Sequence, residues 1–351
     1  MFYRHLCMFI AVGTLASSHA MAEDAKTIAL LLPNTAAVRF DKIDGPQFEK
    51  EVKSLCPTCK VIISNAQGDA SRQQSQAEAA LAQGASVLVI DPFDGGAMRN
   101  VVVTARSKNI PVINYDSLIS DAPISYFVSF DSKQVGEQIA QSLVDRMKQL
   151  GTSDKCVVAI RGDASDKNQG AFWGGSLPVF QKAGTKLCYD VSTPGWSSSK
   201  AQTSMDQAIT KIGVANIGGV YAMADELSAG VVASFVNAGA KNFPPITGQN
   251  GDLAALQQIL AGRMYMTVWK NSITLAQLAG QMAVSIAHGK PPATTTTIES
   301  GGERIPTNLV KTVVITRDNI KDTVVKAKYV DVAALCKGDY ASDCQSLGIA
   351  P

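Results

Sequence analysis

The sequence predicts an α/β protein of two similar lobes, each a parallel sheet flanked by helices. Short apolar runs alternate with segments of about 12 to 16 residues that have helical periodicity. Such alternation is typical of parallel sheets covered on both faces. The chain has 351 residues, of which 46% are hydrophobic. Because a typical domain has ~150 residues, this length and composition suit two packed cores.

The apolar runs predict strands in a regular order along the chain. The first four complete one α/β unit by about Asp116, and a second series begins near Cys156. Helical periodicity predicts helices between them, for example over 70–82 and 132–150. The predicted strands are Thr27–Leu32, Val61–Ser64, Ser86–Ile90, Val112–Tyr115, Cys156–Ile160, Leu187–Val191, Gly219–Ala222, Pro245–Gly248 and Met264–Val268.

Residues 1–22 are typical of an export signal. Arg4 precedes an apolar run over 6–16, and the segment ends in Ala20-Met21-Ala22, with small residues at both ends as signal peptidase requires. A membrane anchor needs ~20 apolar residues, and this run is about half that length. Cys7 precedes the apolar run, so it does not resemble a lipid-attachment cysteine. We therefore expect cleavage after Ala22 and a soluble, exported protein.

The charge balance and the histidine count exclude several classes of function. Lys and Arg number 32 against 30 for Asp and Glu, a formal net charge of +2, so nothing attracts nucleic acid or an acidic membrane. Of three histidines, His5 and His19 lie in the signal segment, which leaves His288 in the mature chain. One histidine excludes a His-rich zinc site and makes a Ser-His-Asp triad hard to build. No phosphate-binding glycine loop follows any strand. We expect no cofactor and no metal.

Six cysteines remain after the signal segment, an even number in a compartment where disulfides persist. Local spacing suggests three pairs. A thioredoxin-like redox site is the alternative for the first pair, but such thiols begin a helix after a strand, and this pair precedes a strand. The suggested pairs are Cys56 with Cys59, Cys156 with Cys188, and Cys336 with Cys344.

Polar and aromatic residues follow the predicted strands, where ligands of parallel sheets bind. Carboxylates and amides form paired hydrogen bonds with vicinal hydroxyls, and an aromatic face packs on the C–H face of a sugar ring. These positions therefore predict a sugar site. The alternative for any one of them is that it only caps the following helix. The positions are Asn34–Phe40, Asp91, Asp116, Asp163–Asn168, Trp196, Asp225, Gln249–Asp252, Trp269 and Lys270.

Several motifs together carry a resemblance to a known family, although no single one is specific. The motifs are Asn65-Ala-Gln-Gly-Asp-Ala70, Val87-Leu-Val-Ile-Asp-Pro92, Ile113-Asn-Tyr-Asp116, Val128-Ser-Phe-Asp131, Val135-Gly-Glu137, Gly248-Gln-Asn-Gly-Asp-Leu253, Met266-Thr-Val-Trp-Lys270 and Asn319-Ile-Lys-Asp-Thr-Val324. On these motifs the chain resembles the periplasmic sugar-binding proteins of ABC importers, of the ribose/galactose-like type, and is most similar to the D-xylose-binding group over about residues 27–325.

The resemblance implies an architecture and a set of ligand residues. It implies the type I periplasmic binding protein fold, with a hinge that the chain crosses near Phe130, near Asn271 and around Thr307. The N-terminal lobe would hold residues 23–130 and 272–307, and the C-terminal lobe 131–271 and 308–351. The implied ligand residues are Arg39, Phe40, Asp116, Asp166, Asn168, Trp196, Asp225, Asn250 and Lys270.

Three positions depart from the xylose pattern. Ser117 stands where that pattern has Arg, Ala224 where it has Asn, and Asn250 where it has Asp. Each unmatched buried hydrogen-bonding group costs ~1–3 kcal/mol, enough to redirect specificity. A less polar pentose, a deoxy sugar, a sugar alcohol or another monosaccharide therefore stays open.

The resemblance implies a receptor without catalytic activity. It would act in the periplasm as a monomer, close its lobes on a monosaccharide or polyol and present the closed shape to the membrane subunits of an ABC importer. A chemoreceptor is a further candidate partner. One alternative is an exported glycoside hydrolase that uses strand-end carboxylates such as Asp116 and Asp225. A lactose-repressor-like regulator needs a helix-turn-helix, and the signal segment occupies its place.

Overall fold

The computed structural model describes Met1 and residues 25–349. The predicted cleavage after Ala22 and the rest of the signal segment beyond Met1 lie outside these residues. Within the described residues, no helix combines the length and the apolar character needed to cross a membrane.

The described residues form strands and helices in the alternating order that the sequence predicts. The strands are β1 (Thr27–Leu32), β2 (Lys60–Asn65), β3 (Ala85–Ile90), β4 (Val112–Tyr115), β5 (Tyr126–Phe130), β6 (Cys156–Arg161), β7 (Lys186–Ser192), β8 (Ile217–Ala222), β9 (Gln249–Asn250), β10 (Met266–Lys270), β11 (Thr296–Ser300), β12 (Glu303–Val310) and β13 (Thr312–Thr316). The helices are α1 (Gly45–Leu55), α2 (Ala70–Ala82), α3 (Gly95–Ser107), α4 (Ser132–Gln149), α5 (Lys167–Ala183), α6 (Ser198–Ile212), α7 (Asp225–Asn237), α8 (Leu253–Leu260), α9 (Ser272–Ala287), α10 (Val332–Leu335) and α11 (Ala341–Ser346).

Aspartate side chains begin several of these helices. Asp69 accepts a hydrogen bond from the Arg72 amide at 3.0 Å and so caps α2. Asp94 and Asp131 cap α3 and α4 in the same way. Because a capping oxygen satisfies an amide that the helix leaves unpaired, these residues set where each helix starts.

The first sheet contains seven strands in the order β11-β12-β5-β4-β3-β1-β2. All neighbouring pairs are parallel except β11 with β12, which is antiparallel. Helix α9 covers one face, since Leu275 and Ala279 share a core with Ile28 and Val128. The late segments α9, β11 and β12 thus join the N-terminal part of the chain.

The second lobe contains two three-stranded sheets, β7-β6-β8 and β13-β10-β9. A single backbone bridge from Val220 to Ile246 links them, and one core runs beneath both, including Val158 and Val268. The predicted strand over 245–248 is reduced to that bridge. Pro244 and Pro245 have no amide hydrogen to donate, so this segment does not form a regular ladder.

The sheets are mostly parallel rather than wholly parallel. Strands β5, β11, β12 and β13 were not among the predicted strands, and β13 pairs with β10 in the antiparallel direction. The exposed Thr296 and Thr297 leave β11 without the apolar run by which the other strands are recognised.

The chain passes between the first sheet and the second lobe after β5, after β10 and after β12. The third passage differs from the predicted crossing around Thr307. Residues 308–310 pair with 128–130 in the first sheet, so the passage follows Val310. The division into lobes at 130 and 271 remains our proposal.

The structure contains the three disulfides that the spacing suggests. They join Cys56 to Cys59, Cys156 to Cys188, and Cys336 to Cys344. Cys156 begins β6, and Cys188 lies two residues after the start of its neighbour β7. The parallel pairing of these strands brings the two sulfurs together across 32 positions of sequence.

Candidate functional site

A cavity lies at the carboxyl ends of strands from both lobes. Pro33, Asp91 and Asp116 reach it from the first sheet, and Asp163 and Trp196 reach it from the second lobe. Parallel strands that end at one edge place these side chains together. Eight of the nine residues that the resemblance implies line the cavity: Arg39, Phe40, Asp116, Asp166, Asn168, Trp196, Asn250 and Lys270.

Arg39 is held by two carboxylates beside the cavity. Its Nε donates to Asp44 Oδ2 at 2.8 Å, and its Nη1 lies 3.0 Å from Asp116 Oδ2. The Tyr115 hydroxyl donates to the other oxygen of Asp44. Burial lowers the pKa of Arg39, but Asp44 and Asp116 outweigh it and raise that pKa well above its ordinary value. Arg39 is thus a permanently charged, immobilised donor.

Asp116 links Arg39 to Lys270. The Lys270 Nζ lies 3.8 Å from Asp116 Oδ1 and 5.2 Å from the ring centroid of Phe130. Burial raises the pKa of Asp116, but Lys270 and Arg39 outweigh it and hold that pKa below its ordinary value. Asp116 has a φ of 55°, in the left-handed region, which Asp tolerates better than most residues. A carboxylate at this position therefore stays ionised beside two cations.

A direct hydrogen bond joins the two lobes at the cavity. The Ser117 hydroxyl, just after β4, donates to Asp166 Oδ1 at 2.5 Å. The same oxygen accepts from the Asn168 amide at 2.9 Å, so Asp166 also caps α5. Burial raises the pKa of Asp166 to about 6. Capping and cavity lining, which the sequence presents as alternatives, coexist in this residue.

Aromatic rings form part of the wall from the second lobe. Trp196 is 8% exposed and lies 6.5 Å from Phe172 in an edge-on arrangement. A β-carbon at Gly162 would overlap the Trp196 ring, so only glycine lets the ring occupy this place. The preceding Gly195 donates its amide to Asp163 at 2.5 Å and fixes the turn. Backbone turns therefore position this indole.

Asp225 does not line the cavity, in contrast to its implied role as a ligand residue. Its Oδ2 accepts from the amides of Gly251 and Asp252, both at 2.9 Å. Its Oδ1 accepts from the Thr267 hydroxyl at 2.8 Å. Burial, followed by Asp252, raises the pKa of Asp225 to about 7. Both oxygens of this carboxyl thus accept hydrogen bonds from the protein, and these bonds position the turn that carries Asn250.

The neighbouring Glu226 lines the cavity instead. Its Oε2 accepts from Asn250 Nδ2 at 3.3 Å. Burial, followed by Asp252, raises the pKa of Glu226 to about 8. The strand-end rule indicated Asp225, directly before Glu226. The backbone turns so that Glu226, and not Asp225, lines the cavity.

Other lining residues were not among the implied ligand residues. Asp91 directly follows β3, and Gln249 directly follows the predicted strand over 245–248, so the strand-end rule had indicated both positions. Phe172 lies within α5, one turn after Asn168, and no strand-end rule identifies it. Its place in the cavity depends on how α5 packs.

One group of possible metal ligands occurs among the described residues. The ligand atoms of Cys56, Cys59 and His288 lie within 4.8 Å of one another. Both sulfurs are in a disulfide, and a metal requires the thiolate. None of these three residues lines the cavity, and the group offers no thiolate ligand while the disulfide is intact.

Sequence comparison identifies the family. A family model described as "Periplasmic binding protein domain" matches residues 28–291. The chain belongs to this family. Among the curated periplasmic binding proteins, the D-xylose-binding periplasmic protein of Escherichia coli K12 is 32% identical over 328 residues, which cover 92% of this chain and 94% of that protein. A multiple sugar-binding periplasmic receptor of Rhizobium radiobacter is 27% identical, over 88% of this chain and 92% of that one.

Solved structures of periplasmic binding proteins have the same fold. An ABC transporter solute-binding protein from Clostridium phytofermentans with bound β-D-glucose superposes with a TM-score of 0.81 at 26% identity, covering 88% of this chain and 100% of that one. A carbohydrate transporter solute-binding protein from Chloroflexus aurantiacus with D-glucose gives 0.80. These relatives are solute-binding proteins, so the glycoside hydrolase alternative receives no support.

Proposed function

We propose that this chain is a periplasmic receptor that binds one monosaccharide, a pentose or a related sugar or polyol, between its lobes and delivers it to an ABC importer. The relatives are named as sugar-binding periplasmic proteins or as solute-binding proteins of ABC transporters. Export would follow cleavage of the signal segment near Ala22.

The observation that carries the proposal is a cavity lined from both lobes and spanned by the Ser117–Asp166 hydrogen bond. A ligand held there touches both lobes at once. Separation of the lobes would break that bond and expose the cavity, so a ligand that fills it favours the closed shape. The membrane subunits of an importer would recognise this shape.

The chemistry of the lining suits a sugar. Asp116, Asn168 and Asn250 offer carboxylate and amide groups for hydroxyls, and Arg39 and Lys270 donate to sugar oxygens. Trp196 and Phe172 offer apolar faces to ring carbons. With Asp166 and Phe40, these residues are our proposed ligand contacts.

We propose binding without catalysis. Asp116 is held by Arg39 and Lys270, so this carboxylate is fixed as a hydrogen-bond acceptor rather than poised to donate a proton. Asp225 is the second acid of the hydrolase alternative. Both of its carboxylate oxygens already accept hydrogen bonds from the protein. The receptor would act as a monomer, and a chemoreceptor is a second possible partner of the closed form.

A thermal-shift screen of the mature protein against monosaccharides and polyols tests the proposal. A ligand at 100 times its dissociation constant adds ~2.7 kcal/mol to the free energy of unfolding, so a true ligand raises the melting temperature by several degrees. Isothermal titration then gives the dissociation constant. The absence of a shift with every sugar and polyol would refute the proposed function.

A further inference from the structure

The cavity holds more acidic than basic side chains. Its acids are Asp91, Asp116, Asp163, Asp166 and Glu226, and its bases are Arg39 and Lys270. Both bases contact Asp116, and Arg39 also contacts Asp44. Within the described part of the chain, no basic side chain forms an ion pair with the other four acids, Asp91, Asp163, Asp166 and Glu226. Asp163 accepts hydrogen bonds from the Gly195 and Ser165 amides, so Asp91, Asp166 and Glu226 are the buried cavity carboxyl groups that lack a direct ionic contact.

Asp91 has the fewest hydrogen-bond partners of these three carboxyl groups relative to its burial. It is 2% exposed, and its Oδ2 has no hydrogen-bond partner. Its Oδ1 accepts a single long hydrogen bond, 3.4 Å, from the Ser117 amide. Gln249, 3% exposed, likewise has an unpartnered Oε1. Buried polar atoms nearly always have a hydrogen-bond partner, so we expect a ligand to donate hydrogen bonds to these two acceptors.

Two of the carboxyl groups meet at Ser117. The Ser117 amide points to Asp91, and its hydroxyl donates to Asp166. Burial, then Asp116, raises the pKa of Asp91 well above its ordinary value, although Arg39 opposes this shift, and Asp166 adds a smaller increase. Two carboxyls this close in a dry cavity cannot both ionise cheaply unless a cation contacts them, and neither Arg39 nor Lys270 forms an ion pair with either.

We propose that the ligand carries a protonated amine, as an amino sugar or amino polyol of monosaccharide size, and that its ammonium contacts Asp91 and Asp166. The inference rests on the proposed function and names the substrate class of the same site. An ammonium offers three donors and a positive charge, whereas a hydroxyl offers one donor and no charge. A sugar acid would add a like charge and be excluded.

Titration calorimetry at pH 7 with matched ligands tests the inference. The probes are the neutral sugars D-glucose and D-xylose, the sugar acid D-glucuronate, and three amines that vary the amine position: D-glucosamine, 6-amino-6-deoxy-D-glucose and 1-amino-1-deoxy-D-sorbitol. We expect at least one amine to bind about tenfold or more tightly than D-glucose, and D-glucuronate not to bind, because a desolvated charge pair gains affinity that a neutral contact lacks.

The outcomes separate this inference from the proposed function. If D-glucose or D-xylose binds as tightly as every amine, the amine inference is wrong and the sugar receptor stands. If no neutral sugar, polyol or amine binds, both are wrong.

Asp91→Asn provides the residue-level test. This change keeps the side-chain shape and removes the charge, so the ratio of amine to glucose affinity should fall by about fivefold or more. Asp121→Asn is the matched control, because it removes the same charge from an exposed residue outside the cavity and should leave the ratio unchanged. Asp166→Asn serves as a second variant should Asp91→Asn not fold. An unchanged ratio in a folded Asp91 or Asp166 variant would contradict the contact.

Discussion

Ionic contacts hold the cavity wall from the first sheet, whereas close ring packing and backbone turns hold the wall from the second lobe. On the first side, Arg39 and Asp44 are almost fully buried and form an ion pair, and Arg39 forms a second ion pair with Asp116. On the second, Trp196 rests against Gly162 and beside Phe172. A buried charge that loses its partner destabilises the whole fold, but a ring beside a ligand contributes to binding as well as to the core. The two walls should therefore respond differently to truncation.

Replacement of Arg39 by Met should have the largest effect on stability. It leaves Asp44 and Asp116 buried without their main counterion, and such a loss costs about 3–5 kcal/mol of the free energy of unfolding. Urea unfolding at pH 7 measures this loss.

Arg99→Met is the matched control for that experiment. Arg99 pairs with Asp121 at 3.4 Å, but both side chains are largely exposed, 47% and 74%. An exposed pair contributes only ~0–1 kcal/mol. Equal losses in the two variants would mean that the Arg39 network is not what holds the first wall.

Replacement of Trp196 by Ala should weaken ligand binding by roughly 1–3 kcal/mol, the range for a desolvated aromatic contact. Stability should fall too, because Trp196 belongs to the core of the second lobe. Trp173→Ala separates the two effects, since Trp173 packs on Phe180 and Tyr221 outside the cavity. Both variants should unfold more easily, and calorimetry should find weaker binding in Trp196→Ala alone. Normal binding by Trp196→Ala would show that the ring is structural only.

A change of pH should have a smaller effect on stability, through the Ser117–Asp166 hydrogen bond that joins the two walls. Burial raises the pKa of Asp166 to about 6 in the folded protein, above the ~3.9 of an unfolded chain. The folded state therefore binds more protons than the unfolded state between about pH 4 and pH 6. The contribution of Asp166 to stability should be greatest below this window and should fall as pH rises through it.

Urea unfolding of the wild type and Asp166→Asn at pH 4 and pH 7 measures this contribution. The wild type should lose about 1–3 kcal/mol relative to Asp166→Asn over that interval, because Asn does not titrate. Asn retains an acceptor for the Asn168 amide, so the helix cap survives. A parallel series with Asp121→Asn, at an exposed position, shows the effect of charge removal alone. Matching profiles for the wild type and Asp166→Asn would exclude a titrating contact between the walls.

Local sequence patterns were sufficient for much of the fold and the location of the site. Alternating apolar runs and helical segments are set by short-range periodicity, so β1–β4, β6–β8, α2 and α4 could be predicted. Strand ends of parallel sheets share an edge, and that rule alone indicated Asp91, Asp116 and Trp196. The edge strand β11 escaped prediction because its exposed residues are polar and leave no apolar run. Strand β13 was also missed, because its apolar run over 313–315 is only three residues long and does not show that the segment pairs with β10.

The amino-acid sequence by itself determined which strand ends form the cavity edge, and the tertiary structure decided which side chains reach the cavity and what each of them contacts. Asp225 and Glu226 are adjacent and chemically alike. The carboxylate of Asp225 nevertheless accepts its hydrogen bonds from the protein, whereas Glu226 lines the cavity. Ser117 and Asp166 meet although 49 positions separate them. Periodicity acts over a few residues, whereas hydrogen-bond partners and burial depend on distances set by packing between lobes. For this reason only the folded chain reveals that Asp91 has a carboxyl oxygen without a partner.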